Sequence, residues 1–139
     1  MKRVRKVAYY ILIALTGFLA LTALLGGIGL LARIYSPPVE DLQGSIFRDF
    51  TIPGLALFVI VGGSALLATL LLIRKSKFAI LMAIVAGFII MFFEFVEVLV
   101  IGSPPGVAQA LQIFYYGLGT IITIVSIAIW FIDLSSGPK

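Results

Sequence analysis

Four long apolar blocks constrain this chain more than any other feature: residues 7–34, 53–73, 78–101 and about 110–132. Each meets or exceeds the ~20 residues a helix needs to cross a ~30 Å hydrocarbon core. Backbone groups in lipid must satisfy one another, so the blocks are expected to be helices rather than open sheet. Barrel strands would alternate apolar and polar side chains with period two, and these blocks do not. The expected fold is all-α: one four-helix transmembrane bundle over residues 1–139, with its longest connection, an outer loop, at 36–52. Hydrophobic residues make up 62% of the chain, well above the roughly half found in a soluble domain.

The charges are unevenly placed. Lys2, Arg3, Arg5 and Lys6 precede the first block, and Arg74, Lys75 and Lys77 fill the tight link between the second and third. Only Arg33 and Arg48 fall on the other side, against Glu40, Asp41 and Asp49. The positive-inside rule therefore predicts that both termini are cytoplasmic. The first apolar run is far longer than the ~7–15 residues of a signal-peptide core, so a retained first helix is expected. Tyr9, Tyr10, Tyr35 and Trp130 are placed as interface anchors, and Asp133 as a solvated residue at the helix exit. The chain has no cysteine and no histidine, which removes disulfides, thiolate or histidine metal sites, and His-based acid–base catalysis. No basic stripe is interleaved with aromatics, so nucleic acid is not an expected partner. The lipid bilayer is, with a homodimer or another membrane protein as the further candidate. No cofactor is expected.

Inside the third block, Glu94 and Glu97 stand one helical turn apart. A carboxylate at the bilayer centre costs about 2.5–3.5 kcal/mol, less toward the interface. At ~100° per residue both fall on an arc with Ala79, Ala83, Ala86, Gly87 and Ile90, while Phe88, Phe92 and Phe95 lie opposite. Small residues mark the packing side of a membrane helix and bulky ones its lipid side. Glu97 falls at the centre of the Ala79–Ala83–Ala86 stripe and is expected to be tied more deeply into the bundle than Glu94. The same arc on the fourth block carries Gln112, Tyr115, Tyr116, Gly119, Thr123, Ser126, Trp130 and Asp133. On the first block the small stripe is Thr16, Ala20, Ala23 and Gly27, and on the second Gly54, Ala65, Ala68 and Thr69. The expected site is an outward-facing polar pocket of Glu94, Glu97, Gln112, Tyr115, Arg33, Arg48 and Asp49, near the start of a second helix that Thr51 can cap.

Four segments, RDFTIPGLAL (48–57), GGSALLA (62–68), FEFVEVLVIG (93–102) and LQIFYYGLG (111–119), carry a resemblance. In these the chain resembles a family of small, functionally uncharacterised four-helix integral membrane proteins of bacteria and archaea. The resemblance implies a prokaryotic plasma-membrane protein. It matches family positions to Asp49, Pro53, Gly54, Glu97 and Gln112, with Glu94 where an apolar residue is more usual.

Two roles for the glutamates fit the sequence: structural ties between helices, or a site for a ligand, ion or proton. The expected function is a non-enzymatic accessory or small-ligand-binding membrane bundle. The alternative is a small ion- or proton-coupled transporter or channel using Glu94 and Glu97. An intramembrane lipid enzyme fits less well, because two carboxylates come with neither an Asp-rich motif nor a phosphate loop.

Overall fold

A computed structural model describes residues 2–32 and 49–136. It contains four long helices: α1 (Lys2–Leu31), α2 (Thr51–Ile73), α3 (Ala79–Ile101) and α4 (Val107–Ser135). There is no strand among the described residues. Each helix is long and apolar enough to span a bilayer, and the chain is a multi-pass helical membrane protein. The bounds differ modestly from the sequence reading: α1 takes in the basic cluster from Lys2, and α4 runs on to Ser135.

The helices form a ring in which consecutive helices are antiparallel neighbours. α3 packs most extensively on α4, α1 on α2, and α1 also meets α4. The core is built from small and aliphatic residues such as Ala20, Ala65, Ala83 and Ile122, whereas Phe92, Leu99 and Ile113 face outward. This inversion of the soluble pattern is what lipid permits, since lipid tails solvate bulky side chains and close backbone approach holds the helices together.

Glycines set the two tightest contacts. A Cβ on Gly27 of α1 would stand 2.7 Å from the Cβ of Phe58 and 2.9 Å from its amide nitrogen. Phe58 lies in a π-helical stretch of α2, Ala56–Gly62, whose wider turns bring its backbone against α1. On the other side of the ring, a Cβ on Gly119 would lie 2.8 Å from the Gly87 carbonyl oxygen, so α3 and α4 touch backbone to backbone.

At the end where α1 begins and α4 finishes, Arg5 Nε donates to Asp133 Oδ1 at 2.6 Å. Asp133 is therefore not a solvated exit residue but an ion-pair partner that closes the ring. Tyr9, expected as an interface anchor, is buried instead, and its hydroxyl donates to the Leu72 carbonyl at 2.6 Å. The phenol supplies a second donor, beside the Lys75 amide, to a carbonyl in the last turn of α2. Tyr10 and Trp130 do face outward, and Tyr35 lies outside the described residues. Tyr9→Phe should lower stability by about 1 kcal/mol, the typical net worth of one hydrogen bond. An unchanged denaturation midpoint in detergent would contradict this.

The link from α2 to α3 is also at this end. The Ser76 amide bonds to the Leu71 carbonyl and the Lys75 amide to the Leu72 carbonyl, a Schellman ending with Lys75 in the left-handed region at φ 55°. A side chain there costs about 1–2 kcal/mol relative to glycine. Lys75→Gly should thus raise stability by about 1 kcal/mol, and Lys75→Asn by less. A lower midpoint for both would show that the turn is not held as described.

Candidate functional site

Glu94 and Glu97 lie seven and four residues before the end of α3, away from the end that carries Arg5 and Asp133. Their order of burial reverses the sequence expectation. Glu94 is 6% exposed and Glu97 only half-buried. The reason is the direction of the packing face. Ile80, Gly87 and Ile90 are buried along with the alanines, which swings the middle of the face toward Glu94 and leaves Glu97 at its edge.

Around them lies a cavity of about 580 Å³. All four contribute to its wall: Ala23 from α1, Leu57 from α2, Ile90, Glu94 and Glu97 from α3, and Tyr115 from α4. Pro104 and Pro105 of the α3–α4 link border it as well. A second cavity of about 560 Å³ lies between α2 and α3, against Ala56, Ile60, Phe88 and Phe92. The two adjoin at Phe50, Pro53, Phe93, Glu97 and Ile101. Glu97 is the single charged residue common to both walls.

The Oε2 atom of Glu94 is buried and has no hydrogen-bond partner. Most buried polar atoms are satisfied, so such an orphan asks for an explanation. Among the described residues the one ion pair is Arg5–Asp133, and no basic side chain pairs with either glutamate. All seven described basic residues sit at the opposite end of the bundle: Lys2, Arg3, Arg5 and Lys6 at the start of α1, and Arg74, Lys75 and Lys77 in the α2–α3 link. The glutamate end carries Asp49, Glu94 and Glu97 among the described residues.

The remaining residues of the expected pocket are distributed differently. Tyr115 lines the larger cavity. Gln112 does not. It is 4% exposed, and its Nε2 donates to the Gly102 carbonyl at 3.0 Å, tying the start of α4 to the end of α3. Its Oε1 is a second buried atom without a partner. Asp49 serves the entry to α2: its Oδ1 accepts from the Thr51 amide at 3.0 Å, the capping role the sequence offered to Thr51. Both residues thus hold helix ends beside the cavity rather than line it. Arg33 and Arg48 lie outside the described residues.

The apolar walls escaped the sequence reading. Ala23 was legible as a packing residue, but a cavity is made by several helices together, which no single helix encodes. Among the described residues there is no cluster of three or more carboxylates, histidines or cysteines that could hold a metal ion. The arrangement can instead accept hydrogen bonds and positive charge from a ligand whose body is apolar. No protein-family model, curated protein or solved structure matches the chain.

Proposed function

We propose that this protein is a non-enzymatic membrane bundle that binds a small amphipathic ligand in an outward-facing polar pocket around Glu94 and Glu97. One observation supports the reading above the rest: two glutamates with no basic partner among the described residues, on the wall of a cavity assembled by all four helices. The volume falls within the ~300–1,000 Å³ typical of small-molecule sites, and the wall is mostly apolar with few polar groups, as such sites are. The transporter reading draws less support. Toward the other end the bundle is filled by Leu12, Leu72, Ile122 and Ile129, all fully buried. The hydroxyls there, Thr16, Thr69, Thr123 and Ser126, each bond to a carbonyl one turn back in their own helix.

We place the protein in the plasma membrane of a prokaryote with both termini cytoplasmic. The support is the gathering of basic residues at the end where α1 begins and α4 finishes. Cysteines at Ser136 and Ser103 test this: an impermeant thiol reagent added to intact cells should label the second and spare the first. The opposite pattern would invert the topology.

Ligand binding is tested with a fluorescent amphiphile that brightens in apolar surroundings, titrated onto the protein in nanodiscs. Saturable binding is expected and should be lost in Ala108→Phe, which fills the cavity from its wall, but kept in Ala110→Phe on the exposed side of α4. Equal binding by both variants would overturn the assignment. Proton or cation flux in liposomes that Glu94→Gln abolishes would move the protein to the transporter reading.

A further inference from the structure

We infer that the ligand is an ammonium-bearing amphiphile: an amine whose ammonium group lies at Glu94 and Glu97 and whose hydrocarbon tail occupies the cavity between α2 and α3. This rests on the ligand-binding reading above and names the chemical class that the reading leaves open.

The head group follows from what the site lacks. Glu94 and Glu97 stand one turn apart on the wall of the larger cavity, and among the described residues no basic side chain pairs with either. An ammonium brings N–H donors and a positive charge together, and hydrogen bonds with both partners charged are roughly twice as strong as neutral ones. Anions are disfavoured by the same two carboxyls. A hydrated inorganic cation is disfavoured by the rest of the wall. It would give up a water shell for about six or more oxygen ligands, and beyond the carboxyls and the hydroxyls of Tyr115 and Thr22, the latter already bonded to the Phe18 carbonyl, the surroundings are apolar residues such as Leu19, Ala23, Ile90 and Phe93. Hydrocarbon and aromatic walls suit an organic cation, whose charge is shielded by its own carbon and is attracted to ring faces.

The tail follows from the second cavity. Its wall carries no charged residue other than Glu97, which is also where it meets the first. Phe88 and Phe92, on its rim, are on the outward face of α3, and Phe92 is 67% exposed. The space therefore opens sideways between α2 and α3 toward lipid. An amphiphile dissolved in the bilayer can enter there with its tail still in hydrocarbon and its ammonium directed to Glu97, which lines both cavities. A single-chain amine free in the membrane and a lipid with an amine headgroup share this chemistry.

The test uses the full chain in phosphatidylcholine nanodiscs, with displacement of the bound fluorescent amphiphile as readout and empty nanodiscs as reference. Dodecylammonium should displace it at a concentration lower by about tenfold or more than dodecanol, as expected for one charge-assisted contact, and dodecyl sulfate should be weakest. Glu94→Gln should erase the preference for the amine and leave dodecanol unchanged, which a merely unfolded variant would not do. Ala56→Phe, in the tail cavity, should weaken dodecylammonium and leave butylammonium as it was. Nanodiscs containing phosphatidylethanolamine separate the two sources. Competition by that lipid assigns the site to a headgroup amine, and its absence assigns it to a free amine. Equal displacement by amine, alcohol and sulfate overturns the inference while leaving an amphiphile site in place. Failure of the wild type to bind any amphiphile overturns the ligand-binding reading itself.

Discussion

Gly87→Leu is expected to lower the stability of the bundle by about 3 kcal/mol or more, the upper range for overpacking a filled interior. At this position even a methyl group has no room. A Cβ would run into Thr123 Oγ1 and stand 3.0 Å from the Gly119 carbonyl oxygen. The reciprocal contacts are as close: a Cβ on Gly119 would lie 2.6 Å from Ile90 Cγ2. The obstacles are backbone and the buried body of α4, not the free tip of a side chain, so the α3–α4 pair would have to separate. Two comparisons isolate the effect. Phe92→Leu alters an exposed, lipid-facing residue and should shift stability by no more than about 0.5 kcal/mol. Gly117→Ala, where a Cβ meets nothing within 4 Å, should be neutral or slightly stabilising, because it restricts the unfolded chain. Denaturation midpoints in mixed micelles would rank the three. Gly87→Leu no worse than Phe92→Leu would mean that the helices do not meet here.

That contact was readable from the sequence because lipid forces a simple rule on each helix. On α1 the small stripe Thr16, Ala20, Ala23 and Gly27 is buried throughout. The rule weakens where helices are irregular or the bundle opens. On α2 the π-helical stretch makes Phe58 and Gly62 packing residues alongside Gly54, Ala65 and Ala68, and 3.6-residue periodicity does not anticipate such a stretch. On α4 the expected arc was too wide, and Tyr116 and Trp130 face outward. Pairings between distant parts of the chain were the least legible. Asp133 meets Arg5 across 128 positions and Tyr9 meets Leu72 across 63, and neither follows from any local pattern. The site was half legible for the same reason. Two glutamates in an apolar helix announce themselves, whereas the cavity that gives them meaning depends on how four helices pack.

Glu94→Leu is expected to stabilise the protein while removing its function, and the sign of that change separates the two roles the sequence leaves open. As a structural tie, Glu94 would have a partner, and its loss would cost about 1–3 kcal/mol by leaving that partner unsatisfied. The structure gives Oε2 no donor from another helix, and the one side chain set against the Glu94 carboxyl is the second acid, Glu97. Instead the carboxyl carries the cost of its own burial, of order 1–3 kcal/mol for an unmade hydrogen bond, beside a second carboxyl at i+3. Leucine at this point fills part of the same space with hydrocarbon, so the unfolding free energy should rise by about 1–3 kcal/mol, and binding of the amine should fall to the level of the alcohol. Two further variants calibrate the result. Glu97→Leu, half-buried at the cavity edge, should change stability by less than about 1 kcal/mol. Gln112→Leu should instead destabilise by about 1 kcal/mol, because the Gly102 carbonyl loses its donor. A residue kept at a cost to the fold is the pattern expected of a binding group, since stability is given up where a site needs an unsatisfied polar group. If Glu94→Leu destabilised as Gln112→Leu does, Glu94 would be a structural tie after all, and the pocket would lose its reason for a carboxylate.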